Sequence, residues 1–260
     1  MKKKSLLSKG YITFENFLSN KEKVELYNLF VSSLNNFGIK IEKSKKFFED
    51  EKLHKSLINF RSRNKKKFGE FYDYLNLNAK FKSFFFSKNF FSKYEKILKK
   101  EKENIFINGF MFRMDFPFDK RNVLDWHQDS PYYQMSYPKF NSYVALISIT
   151  NNNIENGAML YIPKSHKKFF KIKSVKKSRQ HSENFKIKIS AKEMKRIKCL
   201  ETNFGDLSFF HTNIKHRSGK NLTNKVRITI GCRIHDMTSD FKIGKEIYIF
   251  NKTGRNSYLN

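Results

Sequence analysis

In the stretch VLDWHQDSPYY, His127 and Asp129 are separated by one residue, Gln128. The run 123–129 is predicted as a strand, and a strand turns positions i and i+2 to the same face. An imidazole nitrogen then lies beside a carboxylate oxygen, a donor pair that suits non-haem Fe(II). Two donors do not complete a site, so a third must come from a distant part of the chain. The best candidate is His216, in GDLSFFHTNIKHRSGKN. Eleven residues further on, Arg227 occurs in the alternating run KVRITIGCRI, where its planar guanidinium offers two parallel donors to a carboxylate. Taken singly, each residue has a plainer reading. His127 and Asp129 can be a hydrogen-bonded pair without metal, His216 a loop histidine, and Arg227 the partner of a surface carboxylate.

Four elements in order, HQD, ENGAMLYIPKSH (155–166), GDLSFFHTNIKHRSGKN (205–221) and Arg227, resemble the phytanoyl-CoA dioxygenase family. The resemblance runs from about residue 105 to 235 and includes the family's eleven-residue step from distal histidine to arginine. The N-terminal GYITFENFLSNKEKVELYNLF also resembles the family's opening strand and helix. A lone HxD is a weak signal, whereas the four together favour a metal site over the plainer readings. The resemblance implies an Fe(II)- and 2-oxoglutarate-dependent dioxygenase that uses O2 to hydroxylate a C–H bond of a small molecule. His127, Asp129 and His216 are then the metal ligands. Arg227 would take the C5 carboxylate of 2-oxoglutarate, Thr229 shares its face, and Ser218 and Gln128 match further co-substrate positions. His211 is the nearest competitor for third ligand, but the step to Arg227 and the HRSG context favour His216. His54, His166, His181 and His235 lack partners at useful spacing and are read as structural or exposed. Trp126 is read as core packing. Two positions depart from the family's glycines, Lys164 in PKSH and Arg217 after the distal histidine. Both are expected near the site mouth, where they bear on substrate preference.

The implied fold is α+β, a double-stranded β-helix (jelly-roll, cupin-like) core with N-terminal helices packed on it. Local patterns agree. Residues 10–14 read as a strand, and Asn20 can cap a helix over 21–36 with Val24, Tyr27, Val31 and Leu34 on its apolar face. Residues 40–66 read as loop plus a short helix, and 68–100 as helical. From Ile105 short strands alternate with breakers: 105–115, 123–129, 142–149, 158–162, 197–202, 206–210 and 225–235. The chain is expected to be one domain over 1–260. It divides into a mainly helical part (1–104), a core (105–238) interrupted by a basic insertion (164–195), and a tail (239–260).

Fifty-three Lys and Arg against 24 Asp and Glu give a formal net charge of +29. Such charge points to an anionic partner: nucleic acid, a membrane surface or an acidic substrate. Lysine is abundant throughout, so composition alone accounts for much of it, but the insertion is denser still. Lys164, Lys167, Lys168, Lys171, Lys173, Lys176, Lys177 and Arg179 face only Glu183 before residue 190. An anionic small-molecule substrate is therefore expected. Nucleic acid is not, for want of any recognisable binding fold. No run approaches the roughly 18 apolar residues of a membrane helix. Lys9 and Glu15 interrupt what MKKK would need as a signal-peptide core. Cys199 and Cys232 form no disulfide framework, so a reduced, cytoplasmic setting is expected. Alternatives on the same scaffold are a halogenase, against which Asp129 argues because those enzymes lack that carboxylate, and a non-catalytic binding module. The sequence leaves the oligomeric state open.

Overall fold

The computed structural model describes residues 6, 8–98, 105–119, 123–130, 142–168 and 186–236. Strand β1 (Tyr11–Phe14) is followed by helix α1 (Asn20–Asn36). The cap of α1 is Ser19 and not Asn20: Ser19 and Glu22 form a reciprocal capping box, which satisfies two backbone donors at once. The buried face is Leu26, Tyr27, Phe30, Val31 and Leu34, while Val24 is exposed. Within residues 40–66, expected to be loop plus a short helix, stand a 3-10 turn (Phe47–Glu49) and the 13-residue α2 (Glu51–Arg63), capped by Asp50. The helical stretch after residue 64 is broken into α3 (Lys65–Leu77), α4 (Ala79–Ser83) and α5 (Lys88–Leu98). Its breaks coincide with capping side chains. Asn64 accepts from Lys67, Asn78 from Lys80 and Phe81, and the Ser87 hydroxyl from Phe90.

The remaining elements are β2 (Ile105–Asp115), β3 (Ser142–Ser148), β4 (Leu160–Tyr161), α6 (Ala191–Met194), β5 (Lys198–Cys199), β6 (Leu207–His211), β7 (His216–Arg217) and β8 (Arg227–Asp236). They form an antiparallel five-stranded sheet in the order β1-β6-β3-β8-β2 and a three-stranded sheet in the order β5-β4-β7. One face of the large sheet carries Phe112, Met114, Ile147, Phe209, Ile228, Ile230 and Ile234 into a core shared with the helices. Phenylalanines fill that layer: Phe30 stacks on Phe112 at 5.7 Å, Phe68 meets Phe116 at 5.3 Å and Phe90 meets Phe209 at 5.6 Å. The opposite face meets the small sheet through Val144, Tyr161, Leu200, Phe210 and Ile214. This gives a helical layer, a large sheet and a small sheet, with two separate apolar clusters.

Among the described residues the two sheets do not close into a complete double-stranded β-helix. The expected strand at 123–129 is reduced to one bridge, His127 to His216. The reason lies in its hydrogen bonds. Asp129 N and Ser130 N both donate to the carbonyl of Thr212, which is not a ladder pattern. The expected strands at 158–162 and 197–202 likewise shorten to two residues each. Much of the basic insertion, His181 and the tail lie outside the described residues. No helix among the described residues is long and apolar enough to cross a membrane.

Candidate metal centre

The segment 127–130 is strapped to the turn preceding β7. His127 N donates to His216 O at 2.9 Å and His216 N to His127 O at 3.0 Å, while Asp129 N reaches Thr212 O at 2.7 Å. These bonds bring two distant stretches of chain together. Nε2 of His127 lies 3.4 Å from Oδ1 of Asp129, and Nε2 of His216 lies 3.6 Å from the same oxygen. Among the described residues these three form the group of side chains able to share a metal, with donor atoms all within 4.8 Å of one another. All three are buried.

Each imidazole is oriented by its other nitrogen. Nδ1 of His127 is 2.6 Å from the carbonyl of Asp125, and Nδ1 of His216 is 3.0 Å from that of Ile214. A carbonyl only accepts, so both Nδ1 atoms carry the proton. The Nε2 lone pairs are left facing the cavity, an arrangement typical of ligating histidines. Burial and the nearby His127 push the His216 imidazole down to about 4, so it is neutral at pH 7. Burial opposes ionisation of Asp129, but its neighbours, His127 first and also the Arg233 guanidinium, hold its carboxyl well below the usual range. Two lone pairs and a carboxylate oxygen converging in a buried space repel one another unless a cation sits between them. Two imidazole nitrogens and one hard oxygen are a donor set that fits Fe(II).

The cavity has a volume of about 100 Å3. Beside the three donors its wall includes Arg113, Arg227, Arg233 and Arg217, with Ser218 and Thr229. β2 and β8 pair in a register that sets Asp115 opposite Arg227 and Arg113 opposite Thr229. Asp115 consequently serves two arginines. Both its oxygens accept from Nε of Arg113, at 3.0 and 2.9 Å, and Oδ2 accepts from Nη2 of Arg227 at 2.5 Å. Burial works against the Asp115 charge, yet Arg113 and Arg227 hold its carboxyl low. Nη2 of Arg113 also donates to Ser218 Oγ at 3.0 Å, and Leu124 N donates to the same hydroxyl at 3.2 Å. The apolar wall is supplied by Leu124, Val144, Leu146, Met159 and Phe210.

A family model described as phytanoyl-CoA dioxygenase matches residues 6–229. The chain belongs to the phytanoyl-CoA dioxygenase family. No curated protein matches it. Among solved structures it is similar to EvdO2 from Micromonospora carbonacea var. aurantiaca complexed with 2-oxoglutarate, with a TM-score of 0.62 and 12% identity, covering 93% of this chain and 94% of that one. It is also similar to EctD from S. alaskensis with bound Fe, with a TM-score of 0.59 and 14% identity over 92% and 77% of the two chains. A third likeness is to SnoK, a non-heme alpha ketoglutarate dependent carbocyclase from nogalamycin biosynthesis, with a TM-score of 0.55 and 15% identity over 90% and 83%. At these identities the likeness speaks for the fold.

Of the residues singled out in the sequence, the structure gathers His127, Asp129, His216, Arg227, Ser218 and Thr229 around one cavity. Gln128 is buried outside that wall, where its amide donates to the carbonyls of Asn213 (2.5 Å) and Lys168 (3.0 Å) and ties the strap to two loops. Arg217 reaches the cavity, but Lys164 does not line it; the Lys164 backbone bonds to Lys9, and its φ of 67° is the left-handed conformation that glycine adopts most readily. His211 stands apart from the three donors, with Nδ1 accepting from Asn213 N at 3.0 Å. His54 is structural, bonded to Phe48 O and Val226 N. His235 is likewise buried between Ser142 and Asn108. Trp126 is half-buried, not core, with the Arg217 guanidinium over its ring at 5.6 Å. Sequence reasoning missed Arg113, Asp115 and Arg233. The signal was available in FRMD and in the period-2 series Arg227, Thr229, Gly231, Arg233: charged residues alternating with apolar ones inside long strands.

Proposed function

We propose that this chain is an Fe(II)- and 2-oxoglutarate-dependent dioxygenase that hydroxylates an unactivated C–H bond of a small anionic metabolite. We read it as one cytoplasmic domain whose two sheets correspond to the family's jelly roll. The observation that carries the reading is the convergence of two Nδ1-anchored histidines and one carboxylate on a buried cavity walled by arginines. His127 and His216 would offer Nε2 and Asp129 would offer Oδ1. Bound Fe(II) and 2-oxoglutarate would supply O2 activation coupled to decarboxylation of the keto acid to succinate and carbon dioxide.

The other residues bind, orient and exclude water. Arg227 would receive the C5 carboxylate, with Thr229 beside it on the same strand face and Arg113 fixed nearby by Asp115 and Ser218. Val144, Leu146, Met159 and Phe210 keep that end apolar, so each charge-assisted hydrogen bond is stronger than it would be in water. The anionic substrate follows from charge. Arg113, Arg217, Arg227 and Arg233 stand around the cavity, against Asp129 in its wall and Asp115 behind it. Succinate release, measured over a panel of carboxylated, phosphorylated and neutral metabolites, tests the reading. Release stimulated by an anionic compound, with a KM that rises with salt as steering is screened, is the expected result. Stimulation by neutral compounds alone overturns the substrate class.

A further inference from the structure

We infer that Arg233 is a positioning residue for the Asp129 carboxylate, an inference that rests on the Fe(II) site proposed above. Arg227, Thr229 and Arg233 share the cavity face of β8, with Gly231 between the last two. Arg233 stands six residues beyond Arg227, about 20 Å along an extended strand. It therefore serves the other end of the cavity. Its Nη2 lies 3.8 Å from Oδ2 of Asp129. The second carboxylate oxygen, Oδ1, is the one that faces both Nε2 atoms. The two oxygens of one side chain thus have separate tasks. A guanidinium at Oδ2 opposes rotation of the carboxylate and keeps Oδ1 as the single oxygen presented between the histidines.

The guanidinium is held in turn by the backbone of β2. Pairing of β2 with β8 shifts register between Asn108 and Met111, because Gly109 and Phe110 occupy the space of one residue. Such a bulge re-aims the chain locally. Here it turns the Gly109 carbonyl onto Nη1 of Arg233, which donates to it at 3.0 Å. Gly109 has φ 56°, and a Cβ built on it would lie 2.8 Å from Nη1 and 3.1 Å from Cδ of Arg233. Any side chain at 109 would push the arginine away from its place. The order of support is bulge, arginine, carboxylate, metal. Residues that hold a metal's ligands commonly change metal affinity by about 10- to 100-fold when replaced.

The test is an anaerobic titration of the full chain with Mn(II) and, separately, with Co(II), whose visible absorption reports ligand geometry. Thermal melting of the metal-free protein runs alongside. Arg233→Met is expected to weaken Mn(II) binding by about 10- to 100-fold and to alter the Co(II) spectrum. The metal-free melt falls, because a buried charge loses its partner, but the protein stays folded at the titration temperature. Arg233→Lys, which keeps the charge and loses the fork, should recover part of the affinity. Gly109→Ala, which leaves the arginine in the chain but displaces it, should weaken binding in the same direction. If Arg233→Met does not fold, the Lys and Gly109→Ala variants carry the test. Metal affinity and spectrum unchanged in the variants would overturn the inference, as would a lower melt with affinity intact, which marks a purely structural arginine. Failure of the wild type to bind either metal would instead overturn the proposed function itself.

Discussion

Replacing Asp115 with asparagine takes one charge from a cluster in which two arginines share a single carboxylate. Three charge-assisted hydrogen bonds converge on Asp115, two from Nε of Arg113 and one from Nη2 of Arg227. The Arg227 and Asp115 side chains retain 7% and 13% of their exposure, so water can do little to compensate. Removing one partner from a buried pair costs about 3–5 kcal/mol. For a chain of this size each kcal/mol is worth about 2–4 °C in Tm, so Asp115→Asn should lower the Tm by roughly 10 °C. The cluster's net charge rises from +1 to +2 (two arginines, with and without the carboxylate). A ligand carboxylate placed against Arg227 would bring it back to +1. The added stability from 2-oxoglutarate, RT ln(1 + [L]/Kd), should accordingly be larger in the variant than in the wild type. Melting with Mn(II), with and without 2-oxoglutarate, measures both effects. Equal ligand increments in the two proteins would mean that the C5 carboxylate does not bind at Arg227. A Tm drop of only a degree or two would mean that the cluster is not the tightly buried network described.

Arg227→Lys retains the charge and loses the parallel donors, so with a hydrogen bond to a charged group worth about 1.5–3 kcal/mol, 2-oxoglutarate affinity should fall by roughly ten- to a hundredfold. Iron affinity should stay the same; equal loss of both would make Arg227 a support of the fold. His211→Ala should leave 2-oxoglutarate turnover largely intact whereas His216→Ala abolishes it, and the reverse pattern in a turnover assay would exchange their roles. Burial and the nearby Arg233 push the His235 imidazole down to about 4, against about 6.5 in an unfolded chain. Between those values only the unfolded chain binds the proton. His235 therefore lowers stability as pH falls from about 6.5 to 4, by up to about 3 kcal/mol at about 1.4 kcal/mol per pH unit. Urea unfolding of His235→Gln should show a shallower loss over that window, and an unchanged slope would contradict the assignment.

The grouping of the candidate site was legible because its residue types stand at fixed separations. HxD, a distal histidine and an arginine eleven residues later require no knowledge of packing, and β8 is a plain period-2 alternation that sets Arg227 and Thr229 together. The helical layer was readable in outline but not in detail. Caps at Ser19, Asn64 and Asn78, not hydrophobic period, decide where its helices begin. The strand expected at 123–129 failed for a reason beyond the sequence pattern. Leu124 N goes to the Ser218 hydroxyl and Trp126 N to the Asp125 carboxylate, side chains in place of ladder carbonyls, and Asp129 N goes to the Thr212 carbonyl in the turn before β7. The alternation in FRMD and in β8 puts Arg113 and Asp115 on one face of β2 and Arg233 on one face of β8. It does not say which charges pair, because a buried charge looks like a surface charge until its neighbours are known. Only the β2–β8 register sets Asp115 across from Arg227. The Gly109 bulge that aims Arg233 is likewise a property of that pairing, not of the residues around Gly109 in the chain.

The central claim is that His127, Asp129 and His216 hold one metal ion together. Its most direct test is anaerobic Fe(II) titration of the wild type beside Asp129→Ala and His216→Ala, with the fold of each checked by circular dichroism. The account predicts one equivalent of Fe(II) bound by the wild type and a large loss of affinity in each variant with the fold retained. Stoichiometric Fe(II) binding that survives both substitutions would contradict it.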